Sequence, residues 1–166
     1  MTNTRTNRKR IIAIDPTIRG IAFAVFEGPD RLIDWGVKQA RADKQVRCLK
    51  YVDELIRWYT PTSIVLEDVA AAGSRRSVRV KELLAAIAKT ARDRNVRPRL
   101  VARTAVLKQF GRSRAANKDE VAAAVAARFP ELAPRLPAKR KPWQSEAERL
   151  GIFDAVAFGL MVYHSD

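Results

Sequence analysis

The chain contains the sequence IIAIDPTIRGIAFAVF at residues 11–26. Two apolar runs, at 11–14 and 21–26, lie on either side of a polar segment that begins with Asp15 and Pro16. Short apolar runs separated by turn-forming residues are typical of consecutive β-strands. We therefore predict two antiparallel strands, with the turn at Asp15-Pro16 and an acidic residue at the end of the first strand.

The rest of the chain alternates between strand-like and helix-like patterns. The predicted elements are a strand at 31–38, a helix capped by Asp43 and ended by Pro61, a strand at 63–66, a helix at 78–94, a strand at 98–102, a helix capped by Asn117, a basic proline-containing loop at 130–141, and a helix that begins at Ser145. This order predicts an α/β domain with a mixed five-stranded sheet and helices on both faces. Residues 11–166 are expected to form this domain, and residues 1–10 a basic N-terminal arm.

The charge of the chain is its most unusual bulk property. Its 166 residues include 32 Lys and Arg against 18 Asp and Glu, which gives a formal net charge of +14 and a pI near 10.7. Hydrophobic residues make up 47% of the chain, which excludes a wholly disordered protein. The excess of positive charge indicates a polyanionic partner, and nucleic acid is the leading candidate.

Several classes of protein are excluded by what the sequence lacks. A single cysteine, Cys48, rules out a disulfide framework and the multi-cysteine zinc patterns. A single histidine, His164, makes a catalytic triad with a His base difficult to build. No apolar run reaches the roughly 18 residues of a membrane span, and no secretory signal is recognisable. We expect a cytoplasmic protein, bacterial or phage, or an organellar one, and not a secreted one.

Three acidic residues occur where apolar surroundings ought to exclude them. Asp15 follows a buried strand, Glu67 ends another, and Asp154 lies inside an apolar helix. Each has an ordinary interpretation: Asp15 in an Asx-turn, Glu67 reaching solvent at a strand end, and Asp154 as the single polar position of a buried helix. Because the first and fourth strands are commonly neighbours in such a sheet, we instead expect the acids to meet at the carboxyl ends of the strands.

Clustered carboxylates repel one another unless a cation neutralises them. Oxygen ligands without His or Cys favour a hard ion, Mg²⁺ or Mn²⁺, over zinc. Two such ions about 4 Å apart can activate a water and stabilise the leaving oxygen in phosphodiester hydrolysis. An acidic metal cluster in a basic protein therefore predicts a nuclease.

The ordered set of these residues resembles the RuvC family of Holliday-junction resolvases. The resemblance extends from Ile11 to His164 and is carried by Asp15-Pro16, by Glu67 within IVLEDV, by Lys118 ahead of Glu120, and by Asp154 within DAVA. It implies a ribonuclease H-like fold, a homodimer, and metal-dependent cleavage of two symmetric strands at a four-way DNA junction, a step of DNA recombination and repair.

The resemblance also implies roles for individual residues. Asp15 would bridge two metal ions, Glu67 and Asp154 would each complete one side, and all three would be both catalytic and metal-binding. Lys118 matches a lysine that approaches the scissile phosphate, where it could stabilise developing charge. Its ordinary interpretation is a solvated lysine in the first turn of a helix.

Two departures from the family pattern are evident. Thr17 stands where the family usually has a glycine after the first Asp-Pro, so the tight turn must be made differently. Gly151 stands where the family has a fourth metal ligand, Asp or His, one turn before the terminal aspartate. The second metal is therefore short of a ligand, unless water or another acidic side chain substitutes. The acids considered as substitutes are Asp68, which is next to Glu67, and Glu146 and Glu148, which precede Gly151.

Basic residues gather in the segments near these acids. The predicted nucleic-acid contacts are Arg75, Arg76, Arg79, Lys81, Arg112, Arg114, Lys139, Arg140 and Lys141. A second group, expected to add to the same surface, comprises Arg92, Arg94, Arg97, Arg99 and Arg103. Any one group could be only a solvated face. Phe110 and Trp143 are the aromatics of the basic loops and could either stack on DNA bases or pack in the core.

The sequence thus predicts a Mg²⁺- or Mn²⁺-dependent, structure-specific endonuclease that resolves four-way DNA junctions as a homodimer. Two alternatives stay open. One is a RuvC-like nuclease acting on other branched DNA or on structured RNA. The other is a non-catalytic, structure-specific binding module that kept the fold and lost a metal site. An actin-like ATPase ranks last, because no Gly-rich phosphate loop occurs.

Overall fold

The computed structural model describes residues 9–72, 74–111, 117–137 and 150–164. Its strands are β1 (Ile11–Thr17), β2 (Gly20–Phe26), β3 (Leu32–Gln39), β4 (Ser63–Glu67) and β5 (Arg97–Val101). Its α-helices are α1 (Lys44–Tyr59), α2 (Val78–Asp93), α3 (Arg103–Phe110), α4 (Lys118–Arg128) and α5 (Leu150–His164), and Pro130–Arg135 forms a 3₁₀ helix.

The five strands form one mixed sheet in the order β3-β2-β1-β4-β5. The pairs β1–β2 and β2–β3 are antiparallel, whereas β1–β4 and β4–β5 are parallel. The prediction that the first and fourth strands are neighbours is confirmed. This neighbourhood brings the carboxyl ends of β1 and β4 to the same edge of the sheet.

Helices cover both faces of the sheet, as predicted. Along β1, Ile12 and Ile14 pack against α1 and α2, while Ile11 and Ala13 pack against α4 and α5. This alternation follows from the two-residue period of a strand. The α/β class with a five-stranded mixed sheet is therefore confirmed.

The turn after the first strand is not where the sequence predicted it. β1 continues through Asp15 and Pro16 to Thr17, with Pro16 paired to Ile21 of β2. On its other side β1 pairs with β4 only as far as Ala13, which leaves that edge open beyond this point. An open edge is where a strand tolerates a proline. The Asx-turn interpretation of Asp15 is therefore wrong.

Two further expectations about local structure are wrong. Residues 130–135 of the predicted loop form a 3₁₀ helix, because Leu132 is completely buried against the core. Asp43 precedes α1, but with a φ of 48° it makes no side-chain cap. The remainder of the predicted loop, and Ser145, lie outside the described residues.

Helix α3 was not predicted at all. It has only eight residues, no capping side chain at Ala102, and a single fully buried position, Val106. Such a helix gives almost no periodic signal in the sequence. It nevertheless fixes the position of Arg103, its first residue, directly after β5. Among the described residues, no helix has the length and apolar character needed to cross a membrane.

Candidate active site

Asp15 and Glu67 lie beside each other because of the register between β1 and β4. Ala13 pairs with Val65 in the parallel ladder, and the two acids each follow two residues later. A step of two residues keeps a side chain on the same face of the sheet, here the face covered by α5. Asp15 is 3% and Glu67 is 2% exposed, so Glu67 does not reach solvent as its ordinary interpretation held.

Helix α5 brings the third acid to the same place. The helix packs across β1 and β2, and its approach is close because Gly159 faces the ring of Phe26, where a Cβ would lie 2.4 Å from a ring carbon. Asp154 is 2% exposed. The three acids predicted from sequence therefore meet at one end of the sheet, each buried and each from a different element.

Arg103 lies among the three carboxylates. Its Nη2 is 3.0 Å from Oε1 of Glu67 and 3.9 Å from Oδ1 of Asp15, and its Nη1 is 3.5 Å from Oδ2 of Asp154. The guanidinium also lies over the ring of Phe158, with Cζ 5.2 Å from the ring centroid. One arginine side chain thus contacts every acid of the cluster and stacks on the core.

Arg76 provides a second guanidinium at the same acids. Its Nη2 donates to Oδ1 of Asp15 at 2.6 Å and to the carbonyl oxygen of Pro16 at 3.2 Å. Its Nε lies 3.3 Å from Oε1 of Glu67. Arg76 belongs to an irregular segment at 74–77, ahead of α2, and not to a regular element. This predicted nucleic-acid contact therefore faces the carboxylates in this structure.

Lys118 is held beside Asp154 by the start of helix α4. The predicted cap is confirmed: Oδ1 of Asn117 accepts the backbone N–H of Glu120 at 3.0 Å. The helix therefore begins at Lys118, whose Nζ lies 3.3 Å from Oδ2 of Asp154. The lysine predicted from sequence thus reaches the acid cluster.

Burial and neighbouring charges both shift the pKa values of the cluster. Burial, and then the nearby Asp154 carboxylate, raise the pKa of Asp15 to about 7, although Arg76, Arg103 and Lys118 act to lower it. For Arg103, burial acts to lower the pKa, but Asp154, Asp15 and Glu67 outweigh burial and raise the pKa overall. Arg103 is therefore a permanent positive charge, while Asp15 holds a proton more tightly than an ordinary carboxylate.

The two departures from the family pattern meet in one contact. A Cβ built on Gly151 would lie 2.8 Å from Cγ2 of Thr17, 3.0 Å from the Cβ of Ala22 and 3.9 Å from Oδ2 of Asp15. Position 151 therefore faces Asp15, as a fourth ligand would. However, the Thr17 methyl group fills the space that the ligand's side chain would need.

A cavity of about 630 Å³ opens next to the cluster, with Asp15 and Gly151 in its wall. Basic residues also line it, namely Lys44, Arg76, Arg79 and Lys118. Lys44 donates from Nζ to the carbonyl oxygen of Thr17 at 2.5 Å. Glu82 also lines the cavity, so four basic side chains and two acidic ones surround it.

Some of the other residues predicted to contact DNA or metal lie in the described part of the chain, and the rest lie outside it. Arg79 is exposed and lines the cavity, Arg75 is exposed directly before Arg76 in the sequence, and Lys81 is exposed on α2. Phe110 packs edge-on against His164, so the core interpretation of this aromatic is confirmed. The residues that fall outside the described ranges are Arg112, Arg114, Lys139, Arg140, Lys141, Trp143, Glu146 and Glu148.

Sequence reasoning missed two residues of the site. Arg103 was counted among surface arginines, and Lys44 was not singled out. The only sequence signal for Arg103 is its place immediately after a short strand that neighbours β4. Asp68, considered as a substitute ligand, instead accepts the backbone N–H of Ala70 at 3.1 Å.

The donor chemistry of the cluster fits a hard divalent cation, because three buried carboxylates face one another and no His or Cys is among them. Within the described ranges, however, no three His, Cys, Asp or Glu side chains are arranged as a metal-ligand group as they stand. In this structure Arg76 and Arg103 both contact Asp15 and Glu67. A cation that reached both acids would therefore displace at least one of these guanidiniums.

Together, the sheet order, the terminal helix and the buried acids define a ribonuclease H-like domain. Solved structures confirm this fold. Thermus thermophilus RuvC aligns over 94% of this chain and 95% of its own, with a TM-score of 0.67 and 20% identity. The same protein in complex with a Holliday-junction substrate gives a TM-score of 0.66 at 17% identity, over 95% of this chain and 94% of that one.

A viral resolvase has the same fold. The Fowlpox virus resolvase in complex with Holliday-junction DNA gives a TM-score of 0.59 at 13% identity, over 94% of this chain and 99% of its own. No family model and no curated protein matches the sequence. The resemblance to the RuvC family is thus confirmed for the fold, over almost the whole chain.

Proposed function

We propose that this protein is a divalent-metal-dependent endonuclease that cleaves four-way DNA junctions. The observation that carries the proposal is the meeting of Asp15, Glu67 and Asp154 at one end of the sheet, each 3% exposed or less, in a protein with a net charge of +14. Buried acids within a basic surface suit the hydrolysis of a polyanion. The fold shared with resolvases supports the choice of branched DNA as the substrate.

In this proposal Asp15, Glu67 and Asp154 would hold Mg²⁺ or Mn²⁺, which supplies Lewis-acid activation of water and phosphate. The chain's own residues bind and orient the DNA strand. Lys118, already beside Asp154, can turn toward a non-bridging phosphate oxygen and stabilise its developing charge. Arg76 can exchange its carboxylate partners for a DNA phosphate when it moves out of the cluster.

The basic rim of the cavity would grip the DNA arms. Arg79 is exposed in its lining, and Arg75 is exposed directly before Arg76 in the sequence. Contacts to phosphates position a duplex without reading its sequence. Recognition would then depend on the shape of the junction rather than on a long sequence code. Residues 11–166 form the nuclease domain in this proposal, and residues 1–10 are a basic arm that adds to the positive surface.

A four-way junction presents two symmetric strands to be cut, and one active site cuts one strand. We therefore include a homodimer in the proposal, since two-fold assemblies are the commonest way to duplicate a site. Analytical ultracentrifugation tests this part separately. A chain that stays monomeric both alone and on a junction would contradict it.

The test of the activity is cleavage of a synthetic four-way junction with Mg²⁺, with Mn²⁺ and with a chelator. Paired incisions are expected only with a divalent ion. Asp15→Asn, Glu67→Gln and Asp154→Asn should each abolish cleavage and keep junction binding. Asp93→Asn is the matched control, because Asp93 is exposed on α2 and pairs only locally with Lys89. Junctions left intact under all conditions would overturn the proposal.

One observation favours a second candidate, a structure-specific binding module without activity. Arg103 already contacts all three carboxylates that a metal would bind. For such a module, divalent ions would neither stabilise the protein nor support cleavage, while junction binding would remain. Flaps, replication forks and RNA hairpins in the same assay distinguish a nuclease with another branched substrate.

A further inference from the structure

The position of Arg103 has a consequence for how many ions the centre takes. Its side chain is 18% exposed, and its guanidinium lies between 3.0 and 3.9 Å from an oxygen of each of the three carboxylates. An ion that joined these acids would need the same space. Arg103 and a second cation are therefore alternatives at this position.

Arg103 is fixed there by the fold. It is the first residue of α3, and only Ala102 separates it from the end of β5. Its guanidinium stacks on Phe158, which is completely buried on α5 one turn after Asp154. Residues four apart lie on the same face of a helix. Helix α5 thus presents both a charge partner and a stacking surface to the same arginine.

Arg76 is about as buried as Arg103, at 20% against 18% exposed, but it differs from Arg103 in its partners and its place in the chain. It contacts two of the acids rather than three, it comes from the irregular segment at 74–77, and it lines the open cavity. Moving Arg76 toward solvent breaks no regular element. Arg76 is therefore the side chain that can move out of the cluster, whereas Arg103 stays in it.

The charges of the cluster also favour one divalent ion together with Arg103. Carboxylates that bind a metal ion are deprotonated, so the three would carry three negative charges, which one divalent ion and one guanidinium neutralise. A second divalent ion would leave the buried cluster with an excess of positive charge, in addition to Lys118.

We infer that Arg103 takes the place of one of the two metal ions expected for this fold, so that the centre binds a single divalent ion. The inference rests on the proposed function, because the same carboxylates hold the ion. In the reaction, Arg103 would be a positioning residue that keeps the three acids together. It would supply a fixed positive charge where the second ion would otherwise lie.

The test counts Mn²⁺ bound to the full chain without DNA, by calorimetric titration and by electron paramagnetic resonance of the unbound ion. Wild type should bind one ion per chain, and Asp15→Asn none. Arg103→Met keeps an apolar stem against Phe158 and removes the charge, so it should bind two. Arg103→Lys keeps a charge and should stay at one. Arg92→Met is the matched control, because Arg92 is exposed at the opposite end of the sheet.

Two ions bound to wild type, or none, would overturn the inference, and so would an Arg103→Met variant that still binds one. If Arg103→Met does not fold, the wild-type count decides alone. Cleavage is measured separately. Two bound ions with junction cleavage would contradict the role of Arg103 and leave the proposed function intact. One bound ion without cleavage would contradict the proposed function instead.

Discussion

Thr17 and Gly151 are packed so closely that a Cβ at position 151 would lie 2.8 Å from the Thr17 methyl carbon. In the sequence these residues are two separate departures from the resolvase pattern. In the structure they are one contact between β1 and α5. The Thr17 methyl group and the Gly151 backbone therefore pack against each other beside Asp15.

This contact predicts whether a substitution of Gly151 stabilises or destabilises the protein. Gly151→Ala within a helix should ordinarily stabilise a protein by about 1 kcal/mol. Here the overlap with Thr17 should reverse the sign and destabilise the protein by about 1–3 kcal/mol. In a Thr17→Gly background much of that loss should disappear. Urea unfolding of the single and double variants measures this coupling.

The matched control is Gly159→Ala, whose clash is with Phe26 rather than with Thr17. It should destabilise the protein equally in both backgrounds. If Gly151→Ala cost the same free energy with and without Thr17, the two departures would be independent.

The raised pKa of Asp15 predicts how stability depends on pH. The folded protein holds this proton up to about pH 7, whereas the ordinary pKa of an aspartate carboxyl is 3.8. The folded state therefore binds more protons than the unfolded state between about pH 4 and pH 7, and the contribution of Asp15 to stability falls as pH rises through this window. The groups that face Asp15 are Asp154, Arg76, Arg103 and Lys118.

Asp15→Asn should remove this contribution. Urea unfolding without divalent ions, repeated across that pH range, should give a variant that gains stability relative to wild type as pH rises. Asp93→Asn, at an exposed site on α2, should follow the wild-type curve. A constant difference between Asp15→Asn and wild type at every pH would show that Asp15 keeps an ordinary pKa.

Lys118 is expected to affect the rate of DNA cleavage more than the affinity for the junction. Lys118→Met should lower the cleavage rate of a bound junction by about 10²-fold, the scale seen when one donor to a developing negative charge is removed. Single-turnover cleavage with excess protein measures this step without the binding step. Lys89→Met is the control, because Lys89 is exposed and pairs with Asp93 within one turn of α2. Equal rates for the two variants would remove Lys118 from the mechanism.

Phosphate contacts at the cavity rim predict a steep dependence of junction affinity on salt. Each contact adds about 0.9 to the slope of log K against log salt concentration. Arg75→Ala and Arg79→Ala should therefore each reduce the slope by about 1, as measured by fluorescence anisotropy. Arg92→Ala should leave the slope unchanged, because Arg92 lies in the last turn of α2 and not in the cavity lining, although the sequence groups it with the basic surface. An equal reduction from Arg92→Ala would indicate a general effect of net charge instead of a defined surface.

Much of the site could be predicted because its acids interrupt local patterns. Asp15 and Glu67 follow apolar strand residues, and Asp154 interrupts an apolar helix, so each is conspicuous within a few residues of its own sequence. Lys118 could be placed because the Asn117 cap fixes where its helix begins. These are short-range signals, and β-strand and helix periodicity make them readable.

The role of Arg103 could not be predicted from short-range sequence signals. In the sequence it is one arginine among many, in a short helix with almost no apolar periodicity, and nothing local distinguishes it from exposed Arg92. Its role depends on β5 lying beside β4 and on α5 crossing the sheet with Phe158 and Asp154 on one face.

The sequence by itself determined the alternation of strands and helices, the burial of three acids and the basic character of the surface. The tertiary structure alone decided that two guanidiniums hold those acids, and that Thr17 closes the position of a fourth ligand. The physical reason is that periodicity and capping act between residues a few positions apart. A charge cluster is assembled instead by packing between elements up to 139 positions apart along the chain, the separation of Asp15 and Asp154.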